Sequence, residues 1–169
     1  MIAIVCGVSD LARLAAEYSP THVVSLLDPG WSVDTPASVD PAHHLRLDLY
    51  DITRPTEGMT IPDRASIERL VAFIRIWTGP EPILLHCRAG ISCSTAAAFI
   101  LACERNPEVD EMHIALGLRA AAPHALPNSR IVALADGLLG RRGKMLSALD
   151  SMGPHDPSRT GPFELQIRH

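Results

Sequence analysis

Three short apolar runs, separated by stretches of helical periodicity, most constrain the fold of this chain. The runs are "MIAIVC" at the start, "THVVSLLD" from Thr21 and "PILLHC" from Pro82. Each run is continuous rather than alternating, which is typical of strands buried on both faces of a parallel sheet. A fourth segment, "HLRLDLYDI" from His44, alternates apolar and polar residues and predicts a half-exposed strand.

Helical segments lie between and after these runs. "DLARLAAEY" and "PDRASIERLVAFIRIW" place apolar residues at helical spacing, and the pattern stays helical from Ser94, with breaks at Pro107 and Pro123. Strands alternating with helices predict a single α/β domain with a central, mostly parallel sheet of four to five strands flanked by helices. We assign the domain to residues 1–150 and expect residues 151–169, which are rich in Gly and Pro, to form a flexible C-terminal tail.

Composition excludes several classes of partner. The chain has 169 residues, a net charge of −4 and a pI near 6.0. It therefore lacks the overall positive electrostatic field that attracts nucleic acids and anionic membranes. We expect no nucleic acid and no membrane partner. The first apolar run is too short to cross a bilayer and has neither the basic start nor the cleavage site of a signal peptide. We therefore expect a cytoplasmic protein.

We expect that the fold needs no disulfide, and that the chain binds no metal ion and no cofactor. The chain has four cysteines, but 47% of its residues are hydrophobic, which is ample for a core without disulfides. The adjacent His43 and His44 lack the Cys-x-x-Cys or His-x-x-x-His partners that a tetrahedral metal site needs.

The stretch "ILLHCRAGISCST", residues 83–95, carries the chemistry. A buried strand runs into a tight loop and then a helix, so backbone N–H groups and the positive end of the helix dipole converge on one point. An anion such as phosphate or sulfate fits there. The thiol of Cys87 lies in the same field, which favours the nucleophilic thiolate, and Gly90 lets the loop close around the oxyanion.

Within this stretch, "HCRAGISCS" resembles the signature loop of the cysteine-dependent protein tyrosine and dual-specificity phosphatases. That pattern is His-Cys, five residues, Arg, then Ser or Thr. The order of elements over residues 2–149 and the Pro127-Asn128 pair are also similar to the family. The resemblance implies a phosphatase-like fold and phosphomonoester hydrolysis through a phosphocysteine, with a phosphorylated protein or a small phosphomonoester as partner. The matching positions are His86, Cys87, Gly90 and Ser94.

The resemblance also implies roles for individual residues. Cys87 would be the nucleophile, His86 would support its thiolate, and the hydroxyl of Ser94 would help the thiolate to leave in the second step. The phosphate would be bound by the residues that follow the nucleophile, which are Arg88, Ala89, Gly90, Ile91, Ser92 and Cys93.

The family also uses an aspartate from a separate loop as general acid and then as base. Asp51 in "LYDITRP" is the best match in this sequence, and Asp63 is the alternative. Asp63 stands at a predicted helix start, where capping explains it. Asp48 alternates with buried leucines and is interpreted as a solvated strand residue.

Cys93 occupies the position of the signature arginine. An arginine binds two phosphoryl oxygens with its planar fork, and a thiol cannot do this. Arginines that serve phosphoryl transfer are worth about 10³ to 10⁵ in rate, or roughly 4 to 7 kcal/mol. The sequence therefore predicts weak or lost activity. The alternatives are a pseudophosphatase that binds phosphorylated partners, or a redox protein in which Cys87 and Cys93 form a disulfide.

Several other polar residues are interpreted as serving the fold. Arg88 could replace the missing arginine only by folding back over the loop, and its simpler interpretation is a rim residue that meets acidic or phosphorylated partners. Asn128 is expected at a helix start, and Arg119 as a packed ion-pair partner. The histidines expected at the surface or at helix ends are His22, His113 and His124.

Overall fold

The structure, a computed structural model, describes residues 1–167. Its strands are β1 (Ile2–Gly7), β2 (His22–Leu27), β3 (His44–Asp48), β4 (Ile83–Cys87) and β5 (Phe163–Gln166). Its helices are α1 (Leu11–Tyr18), α2 (Arg64–Ile76), α3 (Cys93–Arg105), α4 (Glu111–Ala121), α5 (Ser129–Leu138) and α6 (Lys144–Ser151).

The strands form one sheet in the order β3-β2-β4-β1-β5. The first four strands are parallel, and β5 runs antiparallel to β1 at the edge. The prediction of a single α/β domain with a mostly parallel sheet flanked by helices is confirmed. The sheet has five strands because the chain returns to it after the last helix.

Both faces of the sheet are buried, as the continuous apolar runs require. On one face, Leu11 and Leu14 of α1 belong to the same buried cluster as Ile4 of β1 and Leu84 of β4. On the other face, α3 lies at the centre of the core, and all its residues from Cys93 to Cys103 are buried. This burial fixes the helix start against the carboxyl end of β4, the edge of a parallel sheet where ligands usually bind.

The prediction of a flexible tail is wrong for the residues that form β5. Leu165 pairs with Ala3 of β1, and the side chains of Leu165 and Ile167 are buried. The Gly and Pro residues of this segment lie mainly in the connection before the strand, whereas "FELQI" alternates apolar and polar residues as an edge strand does. Arg168 and His169, the last two residues of the predicted tail, lie outside the described residues.

Two histidines expected near the surface are buried instead. His22 stacks on the ring of His43 with centroids 4.3 Å apart, and His124 packs edge-on against Phe163 at 5.7 Å. Both contacts join distant parts of the chain, so local sequence did not reveal them. His113 is exposed, as expected.

Candidate active site

The loop after β4 closes tightly against the end of β1. Gly90 has a positive φ of +76°, and a Cβ at this residue would lie 2.7 Å from the carbonyl carbon of Cys6 and from the nitrogen of Gly7. Those atoms are backbone and cannot move aside easily. The glycine is therefore required by both conformation and space.

Cys87 ends β4 with its sulfur inside this loop. Its Sγ accepts a hydrogen bond from the backbone N–H of Gly90 at 3.2 Å and lies 3.2 Å from Oγ of Ser94. Ser94 is in the first turn of α3, so the sulfur also lies near the positive end of a 13-residue helix. The side chains of Cys87 and Ser94 that the sequence singled out are thus in contact.

The carbonyl groups of the loop bond to the surrounding protein. The bonds run from Val8 N to Arg88 O (3.2 Å), Leu126 N to Ile91 O (2.9 Å) and Asn128 N to Ser92 O (3.4 Å). Within residues 1–167, the N–H groups of Ala89, Ile91 and Ser92 donate no hydrogen bond to a protein acceptor. These amides are the donors that the loop can offer to an anion.

Asp51 is the predicted acid that reaches this loop. Its Oδ1 accepts a hydrogen bond from the hydroxyl of Ser92 at 2.7 Å. Asp63 instead accepts from the backbone N–H of Ser66 at 2.8 Å and caps α2. Asp48 is exposed at the end of β3. The geometry therefore favours Asp51 over the alternative.

Asn128 makes two kinds of contact at the site, and the sequence predicted only the first. Its Oδ1 caps α5 by accepting from the backbone N–H groups of Arg130 and Ile131, as expected for a residue at a helix start. Its Nδ2 donates to Oδ1 of Asp51 at 2.7 Å. A helix cap uses only the side-chain oxygen of an asparagine. The NH₂ group is left free to donate elsewhere, and this was the signal in the sequence that a second contact could exist.

Cys93 leaves the loop without the charge of an arginine. Its side chain is only 2% exposed, and burial, followed by the nearby Asp51 carboxylate, raises the pKa of the thiol well above its ordinary value. The side chain is therefore a neutral thiol near neutral pH.

Arg88 does not fold back over the loop. Its guanidinium lies 5.1 Å from the ring centroid of Trp31 and 3.9 Å from a carboxylate oxygen of Asp28, and its side chain is 69% exposed. This position matches the interpretation of Arg88 as a rim residue.

Arg119 lies on the cavity wall, and its terminal guanidinium nitrogens bond to backbone carbonyl groups. Its guanidinium donates to the carbonyl oxygens of Pro123 (2.7 Å) and Ala125 (2.8 Å). It is a packed residue, as predicted, although its partners are carbonyl groups rather than a carboxylate.

His86 is held by a contact across the sheet. Its ring is fully buried, and Nε2 lies 2.6 Å from Oγ of Ser25 on β2. Burial lowers the pKa of His86 to about 4, so the ring is neutral at physiological pH. Ser25 in turn lies 2.7 Å from Nε2 of His44 on β3. Ser25 was not singled out from sequence, and His44 was considered there only as a metal ligand.

The loop opens into a cavity of about 1020 Å³. Cys87, Asp51 and Asn128 line it beside apolar side chains that include Leu126 and Met152. Within residues 1–167, no three His, Cys, Asp or Glu side chains cluster as metal ligands would. In the same part of the chain, no helix has the length and apolar character to span a bilayer.

No family model matches the sequence, and no curated protein matches it. The fold, in contrast, is similar to that of solved phosphatases. DUSP15 shares 16% identity over 89% of each chain, with a TM-score of 0.63. PTPMT1, solved in complex with PI(5)P, shares 14% over 82% of this chain and 90% of its own, with a TM-score of 0.61.

The phosphatase domain of Yvh1 from Chaetomium thermophilum shares 22% identity over 85% of this chain and 93% of its own, with a TM-score of 0.57. These similarities extend over most of each chain. The chain has the fold of the dual-specificity and tyrosine phosphatases.

Proposed function

We propose that this chain is a phosphatase-like protein that binds a phosphomonoester in its 88–93 loop and can form a phosphocysteine on Cys87. We further propose that turnover is weak or lost because Cys93 replaces the arginine. The single observation that carries the proposal is the position of the Cys87 sulfur, which accepts from Gly90 N–H and lies 3.2 Å from Ser94 Oγ.

The chemistry follows from the contacts in the loop. Phosphoryl oxygens accept hydrogen bonds from the free loop amides while the Cys87 thiolate attacks phosphorus and the bond to the leaving oxygen breaks. Asp51, held beside the loop by Ser92 and Asn128, donates the proton that the leaving oxygen takes. In the second step Asp51 accepts a proton from the attacking water, and Ser94 stabilises the departing thiolate.

The missing charge limits the rate. Cys93 is a buried neutral thiol, and Arg88 is engaged outside the loop by Trp31 and Asp28. The transition state therefore depends on backbone donors and the helix dipole. We expect a rate about 10³ to 10⁵ below that of a site with an arginine.

The second candidate function is a pseudophosphatase that binds a phosphorylated protein or a small phosphomonoester without turnover. The neutral Cys93 favours it, because the binding groups of the loop remain while the group that stabilises the transition state is gone. PTPMT1 has been solved with a phosphoinositide, and this supports a phosphomonoester as ligand class. A redox role for Cys87 and Cys93 is the weaker alternative, since the raised pKa of Cys93 slows attack by its thiol.

The test is hydrolysis of p-nitrophenyl phosphate by the wild type and by Cys93→Arg, with Cys87→Ser as the blank. Cys93→Gln is the matched control, because it enlarges the side chain without adding a charge. Urea unfolding of every variant shows whether it is folded, and vanadate binding reports the loop without requiring turnover.

We expect Cys93→Arg to be about 10³ to 10⁵ times faster than wild type and Cys93→Gln to remain near the blank. A wild type far above the blank would show that the arginine is dispensable here. If the folded arginine variant is inactive and no protein binds vanadate, the loop is not a phosphate site. A Cys87 to Cys93 disulfide in a peptide mass map after mild peroxide would instead support the redox alternative.

A further inference from the structure

A second cavity lies at the far end of α3 from the Cys87 loop. Its volume is about 590 Å³, and Glu104, the next-to-last residue of α3, is part of its wall. Because α3 has 13 residues, the helix separates the two cavities by about 20 Å. Among the described residues, the two cavities share no lining residue. We call the second one the distal cavity.

The distal cavity has an excess of positive charge. Among residues 1–167, four cationic side chains and two carboxylates line it, in a chain whose net charge is −4. Both carboxylates are already paired with arginines of the same wall. Glu104 bonds to Arg75 at 2.9 Å, and Glu111 bonds to Arg141 at 2.9 Å. The charge that remains in the cavity is therefore positive.

Arg142 and Lys144 carry this remaining charge. Both side chains are exposed, and in the described part of the chain neither has a carboxylate within salt-bridge distance. The nearby connection from α3 to α4 contains Glu108 and Asp110, but these carboxylates do not line the cavity. The two cations are therefore free to meet carboxylates of another molecule.

The backbone of the turn before α6 has an unusual conformation at one of these cations. Arg142 has a φ of +57°, between Gly140 at +66° and Gly143 at +84°. A glycine adopts this left-handed conformation easily, whereas a residue with a Cβ is strained there. The arginine thus stands where glycine would suit the backbone better, which indicates that the protein uses its side chain.

The buried carboxylate of Asp136 fixes this turn. Its two oxygens accept hydrogen bonds from the backbone N–H groups of Gly143 at 2.6 Å and Met145 at 2.8 Å. These bonds occupy amides at the start of α6, so the free positive charge of the cavity comes from side chains and not from the helix N-terminus. Because the backbone of Arg142 and Lys144 is already held in place, only their side chains must be ordered when a partner binds.

We propose that the distal cavity is a docking site for an acidic segment of a partner protein. Arg142 and Lys144 bind the carboxylates of the segment, and the half-buried Leu138 and Leu139 on the same wall contact an apolar residue beside them. This interaction surface goes beyond the proposed phosphatase function and does not depend on it.

An acidic protein segment fits this cavity better than a small anion or a membrane does. A small anion needs donors that converge on it in an enclosed site, and Arg142 and Lys144 are exposed at the rim. An anionic membrane is typically bound by four to eight clustered cations. Within residues 1–167 this cavity offers two free cations, which match carboxylates spaced along an extended chain.

The experiment measures the fluorescence polarisation of a fluorescein-labelled peptide of six glutamate residues flanked by leucines. The control peptide has glutamine in place of every glutamate. Contacts between exposed charges are screened by salt, so the measurement is made at low and at high salt. We expect the wild type to bind the acidic peptide more weakly at high salt, and not to bind the control peptide.

Variants of the two free cations locate the binding site. Arg142→Gln combined with Lys144→Gln should weaken binding by about five- to tenfold and reduce its salt dependence. The matched control is Arg13→Gln combined with Arg159→Gln, which removes the same charge from two exposed arginines outside the cavity. This control should bind as wild type does. Arg142→Lys combined with Lys144→Arg keeps both charges and should also retain binding.

Arg142→Gly separates the side chain from the backbone of the turn. Since glycine relieves the positive φ, we expect the midpoint of urea unfolding to stay at or above that of the wild type. Binding of the acidic peptide should nevertheless weaken by about two- to threefold. A loss of binding in this variant therefore cannot come from a loss of fold.

No binding of the acidic peptide by the folded wild type overturns the proposal. Equal weakening in the Arg142 and Lys144 double variant and in its matched control also overturns it, because the effect would then come from net charge alone. Cosedimentation with phosphatidylserine vesicles, without peptide binding, would overturn it in favour of a membrane. None of these measurements involves phosphate, so the vanadate and p-nitrophenyl phosphate results test the proposed function separately.

Discussion

The side-chain amide of Asn128 donates a hydrogen bond to Oδ1 of Asp51 at 2.7 Å while its oxygen caps α5. One residue thus joins the start of a core helix to the proposed general acid. Because Ser92 of the loop bonds the same carboxylate oxygen, Asp51 is held from two sides. The cap of α5 and the position of Asp51 are therefore coupled through Asn128.

Substitution of Asn128 separates these two roles. Asn128→Ala should lower the free energy of unfolding by about 0.5–2 kcal/mol through loss of the cap, whereas Asn128→Ser, which can still cap, should lose little. In a Cys93→Arg background both variants should reduce kcat about ten- to a hundredfold, because each releases Asp51. Urea unfolding and p-nitrophenyl phosphate kinetics measure the two effects. An Asn128→Ser variant with parental kcat would contradict the role in positioning.

Gly90→Ala should disrupt the loop. The positive φ and the 2.7 Å approach to the backbone of Cys6 and Gly7 together should cost about 2 to 4 kcal/mol in the free energy of unfolding. Gly117→Ala in α4 is the control, since no atom lies within 4 Å of its added Cβ. That control should gain up to about 1 kcal/mol from helix propensity. Equal effects in chemical denaturation would argue against a closed loop.

Stability should fall as the pH drops below about 6.5. Burial lowers the pKa of both His44 and His86 from 6.5 to about 4, so between these values the unfolded chain binds protons that the folded chain does not. The stabilisation is therefore fully present above pH 6.5 and is lost as the pH falls toward 4, by up to about 3 kcal/mol for each histidine.

Urea unfolding between about pH 5 and 7.5 measures this dependence. We expect His44→Gln to reduce the slope of unfolding free energy against pH, while His113→Gln, at an exposed helix residue, should leave the slope unchanged. A wild-type profile that is flat over this interval would show that neither buried ring resists protonation.

The edge strand β5 should contribute to global stability. Leu165 is 6% exposed and faces the core, so Leu165→Ser should lower the free energy of unfolding by about 2 to 4 kcal/mol. Gln166→Ser, at the exposed neighbour in the same strand, should change it by less than about 0.5 kcal/mol. If both substitutions are equally mild in urea unfolding, the last strand behaves as the tail that the Gly and Pro content suggested.

The sequence by itself determined the parts of this protein that rest on local physics. Continuous apolar runs specified buried parallel strands, helical periodicity specified α1 to α5, and the strand-loop-helix pattern around Cys87 specified the tight loop that we propose binds an anion. The strand β5 was missed because the Gly and Pro residues of "SMGPHDPSRTGP" outweighed the weak alternation of "FELQI" that follows them, whereas α6 falls within the region predicted to be helical. Capping explained Asp63 and the oxygen of Asn128 correctly, since a cap involves only neighbours in the chain.

Only the tertiary structure decided which side chains meet. The bonds of Asp51 to Ser92 and to Asn128 span 41 and 77 residues, and the contact of Ser25 with His86 spans 61. Such pairs leave no spacing signal in the sequence, because their distance depends on how the sheet and helices pack. The same holds for the guanidinium of Arg88, which Trp31 and Asp28 direct away from the loop. Sequence thus located the proposed nucleophile and its loop, and packing of distant segments determined the groups that surround them.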